Sequence, residues 1–269
     1  MPTQQEVNTH KVATIVSLIL SLYGNISYFI SPTEPGSGFD VGETPFSGST
    51  IVVFVYWILL YILQLSFVLQ IFLPNIENAR SEITVLVGWH FVIFNVASYL
   101  WAVLFTGGHY FWSEVILIIN FLNILALYFS HKTFAIKPLT SWTLIHLPLS
   151  AFPLSWLLYA IFWNGAVLFR VTDLFGRIIA NVLIWDFLLV PGFLLFIFND
   201  WGVGISSTIL TFGLAFGQLF TKVFALQWIF AFVISGLLLV FSVIAAVSGT
   251  LRGGETIAIT EDREAAPLL

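Results

Sequence analysis

Asp186 is the residue in this sequence best placed to do chemistry. It stands near the middle of an apolar run, in Asn181-Val-Leu-Ile-Trp185-Asp186, where a carboxyl group is costly whether ionised or protonated. Such an acid reads either as a proton or cation relay or partner for a ligand amine, or as a protonated group bonded to a neighbouring helix. Glu114 lies just inside another run beside Trp112 and is expected to reach the outer interface with its head group. His90, beside Trp89, and His146 have no cysteine and no close carboxylate in sequence to complete a metal site. One imidazole could ligate a haem axially, but hydrogen bonding between helices is the better-supported role. Asn120 and Asn123 share a helix face and are expected to bond across to another helix in the same way. Lys222 falls at a run boundary with no matching counter-ion, which does not suit a Schiff base. There is no nucleophile constellation, Gly-rich phosphate loop, paired metal-binding histidine motif or basic nucleic-acid patch. The expectation is a protein that is not an enzyme and has no nucleic-acid partner.

The elements that must hold these residues follow from composition. Of 269 residues 59% are hydrophobic, 17% aromatic and only 9% charged, and the mean hydropathy is +0.99. A soluble domain carries roughly 25% charged residues, so this chain lacks the polar side chains to face water. A soluble globular enzyme and a disordered chain are both excluded. Crossing the hydrocarbon takes about 20 apolar residues in a helix, and eight runs qualify: 12–30, 51–73, 84–106, 111–130, 143–169, 178–198, 202–220 and 223–248. Among charged residues only Glu114 and Asp186 fall inside them. The runs are continuous rather than alternating, which excludes a β-barrel. The fold class is therefore all-α, a polytopic transmembrane bundle of about eight helices in a lipid bilayer. Pro148 and Pro153 should kink the long fifth run or mark its start. Gly213-Leu-Ala-Phe-Gly217 is a G-x-x-x-G pattern, read as close packing within the bundle or as a homodimer face. The absence of cysteine excludes disulfides and thiolate ligands.

Two helices carry a family likeness. The second run reads Phe54-Val-Tyr-Trp57-Ile-Leu-Leu-Tyr61 after Pro45-Phe46, an F-x-x-W-x-x-x-Y spacing that puts Trp57 and Tyr61 on one face. The fifth carries Trp156, Ala160 and Asn164 in a W-x-x-x-A-x-x-x-N stripe. Both resemble the tryptophan-rich sensory protein family, also called TspO or the peripheral benzodiazepine receptor family. The resemblance covers roughly residues 12–169 as a five-helix core, with 170–248 as a three-helix extension similar to longer, related tryptophan-rich proteins. It departs from the family at the third helix, where Asn95 and Trp101 are six apart, and at the proline before Trp156, out of register by one. An uncharacterised group of fungal multi-pass proteins has a similar layout. The resemblance implies a hydrophobic small-molecule ligand, aromatic, sterol-like or tetrapyrrole-like (haem or porphyrin), bound between helices and sensed or transported. The pocket it implies is lined by Trp57, Tyr61, Trp156 and Asn164, with His90 nearby, and capped by residues 31–50. A proton-coupled transporter using Asp186 and a non-catalytic scaffold or accessory subunit are the alternatives.

Orientation follows from basic residues near the helix ends. With the N-terminus (1–11) cytoplasmic, Lys11, Arg80, Lys132, Lys137, Arg252 and Arg263 lie inside, and Arg170, Arg177 and Lys222 outside. The first ten residues lack the features of a cleaved signal peptide, so the first run is read as a retained anchor. The 31–50 loop is Pro/Gly/Ser-rich, acidic through Glu34, Asp40 and Glu43, and has no basic residue; it reads as a non-cytoplasmic connector or lid. The polar tail 249–269 ends in Glu264-Ala-Ala-Pro-Leu268-Leu269, an acidic dileucine pattern of the kind clathrin adaptors read from the cytoplasm. It points to an endosomal or vacuolar membrane, with the plasma membrane as the alternative. Because the chain has no cysteine, single cysteines placed in the 31–50 loop and in the tail report topology directly. The expected outcome is that an impermeant maleimide labels the loop and the tail from opposite sides of sealed membranes; labelling of both from one side would overturn the assignment.

Overall fold

The computed structural model describes residues 4–30, 40–72, 79–137, 139–221 and 226–248. Among them the chain is helical, with eight helices long and apolar enough to cross a membrane. The helices are α1 (Gln4–Ile30), α2 (Thr50–Ile71), α3 (Ala79–Thr106), α4 (Tyr110–His131), α5 (Leu139–His146), α6 (Phe152–Leu168), α7 (Leu174–Leu183), α8 (Asp186–Phe198), α9 (Trp201–Thr221) and α10 (Gln227–Ser248). A π turn, Leu147–Ala151, joins α5 to α6 within one span, and α7 and α8 make another. The protein is an all-α, multi-span membrane bundle. Large apolar side chains such as Val12, Ile51, Ile62 and Val247 are exposed along its outside, a surface only lipid can solvate.

The α5–α6 span is the central one. It is 83% buried over its most apolar window, against 28% for α1 and 33% for α10. The expected disturbance at Pro148 is this π turn. Proline has no N–H to give the carbonyl four residues back, and Gln70 Nε2 of α2 donates to that carbonyl, Leu144 O, at 3.2 Å. Tyr56 Oη donates to Phe152 O at 2.7 Å, and Ser206 Oγ to Ala151 O at 3.1 Å. Side chains of α2 and α9 thus satisfy backbone that a regular helix would have satisfied itself.

Packing follows the location of small and polar side chains. α1 lies chiefly on α3, α3 on α4, and α4 on α6. The buried face of α1 carries His10, Thr14, Ser17, Ser21 and Asn25, a stripe at helical spacing that turns polar groups inward. α9 packs on α6, α2 and α8, with α10 outside it. The 12–169 block and the 170–248 block therefore share one interior.

The Gly213/Gly217 face is used inside the bundle. A Cβ at Gly217 would lie 2.5 Å from Gly48 C and 2.7 Å from Ser47 O, so backbone meets backbone there. Ser49 N–H donates to Gly213 O at 2.8 Å beside it. The same face is covered by the chain itself and is not presented to a second copy. Gly217→Ala should destabilise the fold by about 1–3 kcal/mol, the usual cost of forcing an added methyl into a close-packed contact. Thermal unfolding of the purified protein in detergent checks this, with Gly236→Ala as control because nothing lies within 4 Å of that position.

Candidate functional site

The two ends of the bundle carry different chemistry. At the end formed by the 131–137 and 199–201 turns, the short Asn199-Asp200 connection lets one helix stop and the next start. Asn199 adopts a left-handed conformation at φ 55°, which asparagine tolerates at a helix C-terminus. Asp200 caps α9, accepting from Gly202 N at 3.1 Å and Val203 N at 3.2 Å. Its carboxylate also accepts from Tyr128 Oη at 2.9 Å and from His146 Nε2, 3.0 Å from either oxygen. His146 Nδ1 lies 3.0 Å from Thr133 Oγ1, which lies 2.8 Å from Ser150 Oγ. The His146 and Asp200 side chains have no exposed surface. Burial works against the charged carboxyl, but the adjoining His146 ring and the hydrogen bonds from Tyr128 and Val203 outweigh it and hold Asp200 below its ordinary value.

At the opposite end, residues 40–49 fold over the bundle. Asp40 caps a 3-10 turn, Val41–Glu43, by accepting from Gly42 N at 2.7 Å. Phe46 is buried between Phe162 and Phe187 at ring distances of 5.5 and 5.8 Å. Tyr159 Oη donates to Phe46 O at 3.0 Å, and Gln218 Nε2 to both Thr44 O and Ser47 O at 2.9 Å. Beneath this cap is a cavity of about 210 Å³. Its apolar wall is Tyr28, Phe29, Val53, Trp156, Tyr159 and Trp163; Asp40, Ser47 and Thr50 supply polar edges.

The residues expected to line a pocket are placed unequally. Trp156 lines the cavity. Trp57 lies behind it, edge-on at 4.6 Å between ring centroids, and Tyr61 lies behind Trp57 at 5.5 Å. The Tyr61 hydroxyl bridges to α1, 2.9 Å from Ser21 Oγ and 2.8 Å from Asn25 Nδ2. Asn164 is wholly buried and all four of its hydrogen bonds go to protein. Trp101 Nε1 and Ser113 Oγ donate to its oxygen, and its nitrogen donates to Tyr110 O and Glu114 Oε2. A planar amide has no further capacity, so Asn164 ties α3, α4 and α6 together. Glu114 is half-buried and accepts from Asn164 Nδ2 at 2.7 Å. His90 lies elsewhere, at the α3–α4 contact, 2.8 Å from Asn123 Oδ1 and with its ring 5.7 Å from His131.

Asp186 does not sit within a continuous helix. The sixth span breaks at Ile184–Trp185, and Asp186 is the first residue of α8, where the helix dipole favours an acid. It is half-buried and makes no side-chain hydrogen bond to another described residue. The 31–39 part of the loop, Lys222, and the tail with Glu264, Leu268 and Leu269 lie outside the described residues.

The cavity stripe had a legible signal, Trp156-x-x-Tyr159-x-x-x-Trp163, at i, i+3 and i+7 on one helix face. The W-x-x-x-A-x-x-x-N stripe shares Trp156 but runs along the adjoining face. The His146–Asp200 pair is different: its members are 54 residues apart, each at the edge of an apolar run, and spacing alone does not join them.

A tetrapyrrole fits poorly. The cavity is below the roughly 300–1,000 Å³ of pockets for drug-sized ligands, and no histidine is among its lining residues. Neither His90 nor His146 is available as an axial ligand there, and among the described residues no group of three His, Cys, Asp or Glu side chains could hold a metal ion.

A family described as a fungal protein of unknown function (DUF1774) matches residues 177–269. An uncharacterised protein of Schizosaccharomyces pombe, C637.03, is 34% identical over 99 residues, which are 34% of this chain. The match spans 36% of that relative's length. No solved structure matches. The family match contains Asp186, Asp200 and Gln218 and lies C-terminal to Trp57, Tyr61, Trp156 and Asn164.

Asp200→Asn should destabilise the fold by about 3–5 kcal/mol, because it uncouples one partner of a buried pair. Since the folded carboxyl lies below its ordinary value of 3.8, folding favours the charged form. That stability is complete above 3.8 and is lost as pH falls through the lower folded value. Denaturant unfolding of wild type and variant at neutral and acid pH checks both points: their difference should shrink on acidification.

Proposed function

We propose that this multi-span membrane protein is a non-catalytic binding protein that takes a small, flat, hydrophobic molecule into the cavity beneath residues 40–49. The observation that carries this reading is the cavity itself: about 210 Å³, walled by Tyr28, Phe29, Trp156, Tyr159 and Trp163. Wide aromatic faces recognise a flat apolar ligand by stacking, and a few polar groups at one edge orient it. The roof supports the same reading. It is pinned to α6 through Tyr159 and to α9 through Gln218, so the space beneath is held open by hydrogen bonds.

Size narrows the ligand within the class that the TspO-like spacing of Trp57, Tyr61 and Trp156 suggests. One or two fused aromatic rings suit the space, whereas a sterol or tetrapyrrole would need the roof to lift. Trp156 is the contact residue in this proposal; Trp57 and Tyr61 support it from behind.

Calorimetric titration with 2-naphthol tests the proposal. Wild type should give a saturable heat that Val53→Phe, which fills the cavity from α2, removes; Trp57→Ala should weaken it far less than Trp156→Ala. Heats that are identical in wild type and Val53→Phe would show partition into detergent only and would sink the proposal.

A further inference from the structure

The lining of this cavity is rich in aromatic rings and carries one acid, Asp40. Tyr28 and Trp163 stand 6.1 Å apart edge-to-face, Tyr28 and Phe29 5.3 Å apart edge-to-face, and Trp156 and Tyr159 5.8 Å apart. An aromatic ring attracts a cation that lies over its face. Asp40, exposed at the rim, adds a full negative charge. None of the lining residues is basic, and the 31–50 sequence holds Glu34, Asp40 and Glu43 with no Lys or Arg. One further group bears on the ligand: Trp163 Nε1 is buried without a hydrogen-bond partner, on a side chain that is only 8% exposed and lines the cavity. A buried donor left unpaired is costly, and an acceptor on a bound molecule would satisfy it.

We infer that the cavity is a site for a small organic ammonium ion carrying a hydrogen-bond acceptor, held by the aromatic wall of Tyr28, Trp156 and Trp163 with Asp40 at its mouth. This rests on the reading of the cavity as a ligand site and goes beyond it, assigning a compact cation that the flat apolar class above does not include. A cation between aromatic faces is attracted by their quadrupoles, more strongly as water is excluded. A carboxylate at the mouth raises the local concentration of cations and repels anions. A neutral hydrocarbon of the same shape would gain burial alone, and an anion would meet both the ring faces and Asp40 unfavourably. The site is therefore selective by charge before it is selective by shape.

The experiment compares choline with 3,3-dimethyl-1-butanol, which has the same shape and hydroxyl acceptor but carbon in place of the charged nitrogen. Binding to the full chain in detergent is followed by calorimetry alongside the 2-naphthol titration. Choline should bind about tenfold more tightly than the neutral isostere, the scale of a partly desolvated cation–π contact plus a nearby carboxylate. Asp40→Asn, at an exposed position, should weaken choline severalfold while leaving the isostere unchanged. Trp163→Phe, which keeps a ring face and removes the N–H, should weaken both. Equal affinity for choline and the isostere, or binding of 2-naphthol with no binding of choline, overturns the ammonium assignment and leaves the cavity reading intact. Choline binding that survives Val53→Phe overturns the location of the site.

Discussion

Within hydrocarbon, a hydrogen-bonding group that loses its partner has no water to turn to, and this constraint organises the whole bundle. Its effect is clearest where the central span departs from a regular helix. Pro148 and the π turn disturb the backbone of the most buried segment in the protein. Gln70, Tyr56 and Ser206 each donate to a carbonyl in that stretch. Those three donors come from α2 and α9, so satisfying one irregular turn also fixes the neighbours of α6 in place.

The same constraint divides the polar chemistry between the two ends. At one end His146 and Asp200 are hydrogen-bonded to each other inside a shell of Tyr128, Thr133 and two backbone N–H groups. Every carboxylate oxygen there has a protein donor, which marks a closed, structural cluster. At the other end Asn164 is likewise saturated, but one layer away Trp163 Nε1 has no partner. Trp163 Nε1 is a buried donor beside open space, whereas the Asn164 amide is enclosed by protein donors and acceptors.

Hydropathy is a one-dimensional property, and so the spans, the solvent and the segregation of charge could be read from the sequence. The aromatic spacing around Trp156 also carried part of the site, because a helix converts spacing into a face. It misassigned the neighbouring face: Asn164 follows Trp156 along a stripe that packs against α3 and α4, while Tyr159 and Trp163 follow it along the stripe that lines the cavity. Asp186 lies at the middle of the sixth span, as its place in the apolar run indicated, but the helix is interrupted just before it, and a local break cannot be seen by counting apolar residues. The His146–Asp200 pair needed the third dimension outright, since neither residue has a sequence neighbour that announces the other.

The division into a five-helix block and a three-helix extension describes the sequence better than it describes the site. Tyr28, Val53, Trp156 and Trp163 come from the first block, but the roof over them is held by α9. Gln218 grips Thr44 and Ser47, Gly213 accepts from Ser49, and Gly217 permits the close approach that both contacts require. Phe46, the roof's buried anchor, also packs on Phe187 of α8. The cap is thus held from both blocks, by Tyr159 and Phe162 of α6 and by Gln218 of α9. The segment matched by the fungal family thus supplies anchors for the cap, and residues N-terminal to it supply the aromatic wall beneath.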